Sequence, residues 1–454
     1  MKGGFHEPIL MALPILAASL LLLSTAGCSL APTATAMPTQ APVVTADPDK
    51  PADATPLADK PTGGAAENYS LAQAMSDQAQ LSTIAFDGLA FLTGTAGADS
   101  FFPPGKVADF FGFQYMRDVD VSGYGHNTTF LSKAANTVLS ILDDAQKAKL
   151  VSLAKEQAPI YERFALARFP LMEAFRRSME GVIPTGSTGL DATAVSEYTG
   201  LLYGYDAELS YRRAVVVGGI VTSFTTTQKA TLDAMKFDDS STWRTVGEDE
   251  ALKKSLTNTQ FVAVMTYASE LFSWYKGSID ADIYFCPERH GTCFGGFYMK
   301  DQPAMGNPDY FISTSTTGDK GQGFLDILDA TQRALVTRII EIQRPWLAEI
   351  ATIRTAVSTE LRKALTGGTV DEANVKALIQ RYGELDGLMS ALYAERFAEV
   401  ARTLTEAQRT KLVALRDQTV VPAGAFEFST PITMPTPGSV DFLFGIGTVP
   451  TSLP

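Results

Sequence analysis

The sequence predicts an all-α protein in which one helical module occurs twice. Alternating strand patterns are almost absent, and long runs such as residues 373–401 carry apolar residues at the three- and four-residue spacing of a helix face. A comparison of the chain with itself reveals a long-range repeat. The 454 residues, of which 45% are hydrophobic and 19% charged, are enough for two or three domains that each bury a core.

The N-terminal residues 1–27 have the features of an export signal peptide. Lys2 precedes an apolar run at residues 9–23, and small residues lead up to Cys28. The stretch resembles a bacterial lipobox, in which the cysteine is diacylated after the signal is removed. We therefore expect a lipoprotein that is anchored through Cys28 in the bacterial cell envelope and faces the periplasm. An ordinary signal peptide with an incidental cysteine is the alternative.

Two segments outside the modules have no helix pattern. Residues 28–67 are rich in Ala, Pro and Thr, hold no aromatic residue, and are predicted to form a disordered tether. Residues 421–454 are predicted to form an extended C-terminal tail, because their prolines exclude a helix. Apolar residues in this tail predict that it lies along the folded body; they are Phe426, Phe428, Phe442, Leu443 and Phe444.

The repeat is clearest in one pair of segments. Residues 98–118 align without a gap with residues 281–301, at an offset of 183, and nine of 21 positions are identical. Each repeat is a whole module, since the offset changes only by short insertions. We place the modules at residues 68–240 and 241–420. Further matches at offsets of 186 and 180 include Gln157 with Gln343, Arg168 with Arg354, Arg176 with Arg362, Asp191 with Asp371, and Asp206 with Asp386.

Each module contains the same short phrase twice: an apolar residue, then Asp or Thr, then Gln three residues after that. An Asp or Thr at a helix start accepts a hydrogen bond from a free backbone N–H, and the Gln reaches back to the N–H of that first residue. The phrases therefore predict helix starts with capping boxes. They are Leu142, Asp143 and Gln146; Phe224, Thr225 and Gln228; Leu328, Asp329 and Gln332; and Leu404, Thr405 and Gln408.

Glycine and proline predict the inner organisation of each module. A helical hairpin is expected to turn at residues 184–191 in the first module. In the second module the hairpin is expected to turn after a glycine pair, where Thr369 and Glu372 predict another capping box. Pro159 and Pro345 fall inside the long helices and are expected to kink both at the same place.

Paired phrases around a helical hairpin resemble the Spy/CpxP family of periplasmic stress chaperones, whose signature is a pair of LTxxQ motifs. Leu404, Thr405 and Gln408 match the motif fully, one phrase has Phe for Leu, and the other two have Asp for Thr. The resemblance covers residues 130–240 and 311–420. It implies an ATP-independent envelope chaperone that holds unfolded or aggregation-prone proteins.

Family members act as cradle-shaped helical dimers, and some relatives bind zinc or other metals and take part in envelope stress sensing. Because this chain carries two modules, the resemblance implies a monomer whose modules pack as an intramolecular pseudo-dimer about a pseudo-twofold axis. A metal- or stress-responsive lipoprotein that regulates a partner is the competing interpretation. A surface interaction protein built on the same scaffold is a third.

Composition and motifs exclude several other functions. The formal charge of −13 indicates no excess of basic residues that could bind nucleic acid. The same charge would repel an anionic membrane, so contact with a membrane is expected only through the lipid. The chain has only three histidines, no phosphate-binding glycine loop and no HExxH motif. We expect neither an enzyme nor a cofactor.

Cys286 and Cys293 enclose a short segment that contains His290. An oxidising compartment favours a disulfide between the two cysteines. A partial zinc site that includes His290 is the alternative.

Two matched pairs of basic residues complete the candidate sites. Arg168 and Arg176 lie eight residues apart, as do Arg354 and Arg362, which places both members of a pair near one helix face. These four arginines form a candidate client surface. A solvated helix face without such a role is the alternative.

Overall fold

A computed structural model of the protein describes residues 76–94, 129–236, 240–276, 320–415, 425–427, 430–433 and 436–453. These residues form thirteen α-helices, and one small two-stranded hairpin is the only sheet among them. The prediction of an all-α fold is confirmed. Within the described ranges, no helix is both long and apolar enough to span a bilayer.

The helices are numbered here in chain order. The first six are α1 (Asp77–Thr93), α2 (Thr129–Ile141), α3 (Asp144–Ala167), α4 (Phe169–Glu180), α5 (Ala192–Thr222) and α6 (Thr226–Ala234). They are followed by α7 (Glu250–Lys254), α8 (Asn258–Lys276), α9 (Lys320–Ile327), α10 (Ala330–Thr337), α11 (Ile339–Arg362), α12 (Glu372–Thr403) and α13 (Glu406–Leu415). Strands β1 (Ala425–Glu427) and β2 (Thr430–Ile432) pair antiparallel, and short 3-10 turns lie at Ser240–Thr242, Lys363–Thr366 and Asp441–Phe444.

Helices α1 and α8 hold equivalent places in the two repeats, but each packs against the other repeat. Helix α1 contacts α9, α11 and α12, whereas α8 contacts α2, α3 and α6. The described helices thus form a first group (α2 to α8) and a second group (α1 with α9 to α13). These spatial groups differ from the linear modules 68–240 and 241–420 by one exchanged helix. Helix α1 is buried on nearly every face among the side chains that the structure describes, as expected for a helix that is surrounded by others.

The two longest helices, α5 with 31 residues and α12 with 32, pack along each other between the two groups. Small residues bring their backbones close. A Cβ added at Gly383 would lie 2.6 Å from the Cβ of Tyr203, and one at Gly387 would lie 2.7 Å from the Cα of Ser196. The Ser196 hydroxyl also donates to the Glu384 carbonyl oxygen at 2.8 Å. Buried apolar residues of both groups form one cluster, so the two groups share a core.

Both prolines lie inside long helices, as the sequence predicts, but the helix interruptions of the two repeats do not match. Pro159 lies inside α3 and Pro345 inside α11. The first repeat is interrupted at Arg168, because Pro170 lies in the first turn of α4, where the missing N–H of proline has no helical partner to lose. The second repeat has Ala356 at the aligned position, and α11 continues through it. Its own interruption lies earlier, between α10 and α11.

An aspartate starts the long second helix of each repeat. The Asp371 carboxylate accepts a hydrogen bond from the Asn374 N–H at 3.0 Å, and α12 begins at Glu372. Asp191 caps α5 in the same way by accepting from two backbone N–H groups. The expected capping box at Thr369 is therefore wrong, because the aligned aspartates cap both helices.

Candidate functional site

All four predicted capping boxes form, and they start α3, α6, α10 and α13. In each box the Asp or Thr side chain accepts from the backbone N–H of the Gln. The Gln side-chain oxygen accepts in return from the backbone N–H of the Asp or Thr. In the box of Asp143 and Gln146 the two distances are 2.8 and 3.0 Å. This is the local role that the sequence predicts.

The side chains of Gln146 and Gln228 also bind each other, although 82 residues separate them. The Gln228 Nε2 donates to the Gln146 Oε1 at 2.6 Å and to the Ile141 carbonyl oxygen at 2.8 Å. The Gln146 Nε2 donates to the Ser223 hydroxyl at 3.0 Å. This arrangement, named here the first glutamine clasp, joins the end of α2 to the starts of α3 and α6.

The second repeat contains the same arrangement, the second glutamine clasp. The Gln408 Nε2 donates to the Gln332 Oε1 at 2.7 Å and to the Ile327 carbonyl oxygen at 3.0 Å. The Gln332 Nε2 donates to the Thr403 hydroxyl at 3.2 Å. Each of these residues aligns with its equivalent in the first clasp at an offset of 186 or 180.

The clasps explain why all four boxes carry glutamine, although a capping box accepts glutamate equally. Gln146, Gln228 and Gln332 are buried, and each clasp needs side chains that both donate and accept. Glutamate would place a carboxylate beside the amide oxygen of its partner. It would also take away the donor to the carbonyl of Ile141 or Ile327. If the phrases served only to start helices, glutamate could replace glutamine in them.

The chain contains a fifth capping-box phrase, which has no counterpart in the other repeat and is therefore not found by comparing the repeats. Leu256, Thr257 and Gln260 match LTxxQ fully and start α8 with a capping box whose two hydrogen bonds are both 3.2 Å long. A search for the LTxxQ motif alone could have revealed this phrase, although the aligned positions before α1 do not carry the motif. Both of its bonds are exposed, unlike those inside the clasps. The motif therefore starts a helix by itself, whereas a clasp needs two boxes side by side.

The candidate client surface of four arginines is wrong for two of them. Arg168 and Arg354 are buried, with 4% and 0% of their surface exposed. The Arg354 guanidinium lies over the ring of Tyr382, 5.7 Å from its centroid. A spacing of eight residues predicts a shared helix face, but it does not say whether that face points to solvent or to the core.

The other two arginines are partly exposed and are also engaged within the fold. Arg362 donates to the Trp274 carbonyl oxygen at 3.0 Å and so links α11 to the end of α8. Arg176 pairs with Glu173 and Glu180 on its own helix. The aligned arginines therefore differ in their contacts and do not form one matched surface.

A buried ion pair lies between α5 and α8. Arg213 and Glu270 are 2.9 Å apart, and their side chains are 0% and 2% exposed. The Tyr267 hydroxyl donates to the Gln157 Oε1 at 2.8 Å and lies 2.7 Å from the hydroxyl of Tyr161. Burial raises the pKa of Tyr267 well above its usual value. These five residues, the polar core cluster, hold α8 in the first group.

In the second group, a chain of buried neutral side chains contacts the exchanged helix, and an exposed ion pair between Arg344 and Asp77 adds to it at 2.9 Å. Gln343, which aligns with Gln157, donates to the Oε1 of Gln80 on α1 at 3.0 Å. It also accepts a hydrogen bond from the hydroxyl of Tyr393, which stands where the first repeat has Arg213. Burial raises the pKa of Tyr393 well above its usual value. Both exchanged helices are thus held by a buried polar contact with the glutamine of a long helix.

The C-terminal tail binds one end of the first group. Residues 436–453 lie against the turn between α4 and α5, named here the first hairpin end (residues 177–191). The backbone N–H of Asp191 donates to the Leu443 carbonyl oxygen at 2.9 Å. An ion pair also joins α4 to the tail. The tail therefore makes specific polar contacts with a part of the chain that is distant in sequence.

Several predicted site residues lie outside the described ranges. They are Cys28, Cys286, His290 and Cys293, together with the aligned segments 98–118 and 281–301. The lipid anchor, the disulfide and its zinc alternative stay predictions. Within the part of the chain that the structure describes, no group of three or more His, Cys, Asp or Glu side chains is placed to hold a metal ion.

These features define an all-α protein of two helix groups, each closed by a glutamine clasp. No protein family, curated protein or solved structure matches this chain. The resemblance of its paired phrases to the Spy/CpxP signature therefore stays a prediction.

Proposed function

We propose that this protein is an ATP-independent chaperone of the bacterial envelope that holds unfolded or aggregation-prone proteins. The observation that supports this proposal is the glutamine clasp. The two phrases of each repeat, which resemble the paired LTxxQ signature of Spy/CpxP chaperones, lie side by side and bind each other. A direct bond between the two phrases gives a physical reason for a signature that consists of two motifs.

The same proposal includes an intramolecular pseudo-dimer. Helices α5 and α12 align at an offset of 180 and pack against each other, as equivalent helices do across a twofold axis. The exchange of α1 and α8 links the two repeats further. One chain would therefore supply what a dimer supplies among the proteins that it resembles, because duplication makes the pairing intramolecular.

A lipid anchor at Cys28 belongs to this proposal. We expect Cys28→Ser to prevent acylation and to leave the signal uncut. The mass of the chain extracted from the membrane fraction checks both expectations, because the wild type should lack residues 1–27 and carry the lipid, whereas the variant should keep the signal and lack the lipid. A wild-type chain without the added mass of a lipid would exclude the lipoprotein interpretation.

The decisive experiment measures aggregation of a reduced, unfolded test protein in the presence of residues 67–454, without ATP. We expect suppression at near-stoichiometric ratios. We expect it to weaken when both clasps are broken by Gln228→Glu with Gln408→Glu, and to persist with Gln260→Glu. Absence of suppression, together with stoichiometric zinc binding that Cys286→Ser abolishes, would instead favour the metal-responsive lipoprotein.

A further inference from the structure

The second hairpin end, between α11 and α12, closes on itself through one side chain. The Glu360 Oε2 lies 2.7 Å from the Lys363 ammonium, and the Glu360 Oε1 accepts from the Asp371 N–H at 2.9 Å. These bonds, the one from Lys363 foremost, lower the pKa of Glu360. A single carboxylate therefore pairs with the cation of the hairpin and with the N–H at the start of α12.

The first hairpin end keeps the cation and the N–H but lacks the carboxylate. Ala174 occupies the position that aligns with Glu360, whereas Arg177 aligns with Lys363 and Asp191 with Asp371. Within this hairpin end the Arg177 Nε donates to the Val182 carbonyl oxygen at 3.3 Å. Without the tail, the hairpin end would therefore present a cation that has no carboxylate partner, together with a backbone donor.

The tail supplies both missing partners. The Asp441 carboxylate accepts from the Arg177 Nη1 at 2.9 Å, and the Leu443 carbonyl oxygen accepts from the Asp191 N–H at 2.9 Å. Leu443 and Phe444 are 0% and 3% exposed, and the Arg177 guanidinium lies over the Phe444 ring, 5.0 Å from its centroid. The tail thus combines the polar role of the missing glutamate with an apolar anchor.

We propose that the first hairpin end is a binding site for a short segment of another, unfolded polypeptide that takes up a single 3-10 turn there, and that tail residues 440–446 occupy it as a tethered competitor. The site selects a carboxylate that is followed two residues later by a leucine and then by an aromatic residue. This inference rests on the proposed function, since it names a place where a client is held.

The contacts suit a short peptide segment that binds in a 3-10 turn, as Asp441–Phe444 do in the tail. One is a main-chain carbonyl, which every polypeptide offers, and the others need only an acidic and two apolar side chains. Gly445 adopts a left-handed φ of 76° next to Asp191, so the bound stretch is short. A tethered occupant lowers the apparent affinity of any free competitor, because its effective concentration at the site is high. Release of the tail should therefore reveal the site.

The test adds a fluorescent synthetic peptide with the sequence of residues 436–454 to the full chain. In the wild-type protein the tail occupies the site, and peptide binding is weak. Leu443→Asp in the chain should release the tail, because it places a charge in a buried position. We expect the peptide to bind this variant at least about tenfold more tightly than the wild type. A reduced, unfolded test protein should then displace the peptide.

Matched substitutions locate the binding at one hairpin end. Adding Arg177→Glu to the Leu443→Asp chain should weaken peptide binding at least about tenfold, because it removes a charge-assisted hydrogen bond. Adding the aligned Lys363→Glu should leave binding unchanged. A peptide that itself carries Leu443→Asp should bind none of the chains. If the helical circular dichroism of the Leu443→Asp chain is not that of the wild type, Asp441→Lys replaces it, with the same order of affinities expected.

Three results would overturn the inference. They are equal peptide affinity for the wild type and the released variant, an equal loss with Arg177→Glu and Lys363→Glu, and no displacement by unfolded protein. Suppressed aggregation without displacement would reject this site and leave the chaperone proposal intact. Displacement without suppression would keep the site and reject the chaperone proposal.

Discussion

The amide of Gln228 has a partner for each of its polar atoms. Its oxygen accepts from the Thr225 N–H at 2.8 Å, and its nitrogen donates to Gln146 and to Ile141. The first bond belongs to the helix start, and the other two belong to the first glutamine clasp. A substitution that keeps the first and removes the others can therefore separate the two roles.

Gln228→Glu is that substitution. Glutamate still caps α6 but cannot donate to Ile141 or Gln146, so we expect the free energy of unfolding to fall by about 1–3 kcal/mol. Urea denaturation at pH 8 measures the change. The control is Gln260→Glu in the exposed fifth box, where we expect a change within about 0.5 kcal/mol. Equal effects of the two substitutions would contradict a stabilising role of the clasp.

Glu270 tests the polar core cluster. Glu270→Ala leaves the buried charge of Arg213 without its ion-pair partner, and we expect unfolding to require about 3–5 kcal/mol less. The neighbouring Arg212 pairs with Glu156 at 2.7 Å, with both side chains more than 40% exposed. Glu156→Ala should therefore cost less than about 1 kcal/mol. Equal losses for Glu270→Ala and Glu156→Ala would contradict a special contribution of the buried ion pair.

At this scale the sequence predicts short-range contacts well and long-range ones poorly. The capping boxes could be predicted because donor and acceptor stand three residues apart. The clasp of Gln146 with Gln228 spans 82 residues. Neither phrase contains a residue pattern that predicts contact with the other phrase. The burial of Arg168 and Arg354 could not be predicted either, since it depends on which helices cover that face.

Among the elements, the contact of α5 with α12 depends on small residues at the crossing. A Cβ at Gly387 would lie 2.7 Å from the Cα of Ser196 and 2.9 Å from the Val195 carbonyl oxygen. Both neighbours are backbone atoms, so a side chain can enter only if the two helices move apart.

We therefore expect Gly387→Ala to destabilise the protein by about 1–3 kcal/mol, although alanine favours a helix more than glycine does. Thermal unfolding followed by circular dichroism measures this. Gly204 is the control on α5, where an added Cβ would meet nothing within 4 Å. Gly204→Ala should stabilise the protein by up to about 1 kcal/mol. Stabilisation by both substitutions would mean that the helices are not closely packed.

The exchange of α1 and α8 explains why the modules could be predicted but not their grouping in space. Periodicity reports that a helix has an apolar face, and α1 and α8 both have one. Periodicity does not indicate which repeat supplies the helices that cover this apolar face. The two choices present aligned positions of the same module, some of them identical, such as Gln343 and Gln157, and the position that differs, Arg213 in one repeat and Tyr393 in the other, is distant in sequence from the helix that it contacts.

The whole molecule should consequently depend on both repeats. Residues 68–240 contain α1 without α9, α11 and α12, and contain α2 and α3 without α8. We expect this fragment and residues 241–420 each to self-associate, and an equimolar mixture to give a one-to-one complex. Light scattering after gel filtration measures the masses, with residues 67–454 expected to be a monomer. A stable monomeric fragment that ignores its counterpart would contradict the intramolecular pseudo-dimer.

The exchanged helix also has a consequence for how the protein is made. Helix α1 leaves the ribosome before every other described element, yet its partner α9 begins only at Lys320. All helices of the first group have been synthesised by Lys276, whereas α1 must wait for the helices that cover it. At synthesis rates of roughly 5–20 residues per second, the wait lasts on the order of tens of seconds. During that time the buried apolar side chains of α1 lack the helices that cover them in the folded protein, so the newly made chain is prone to aggregate.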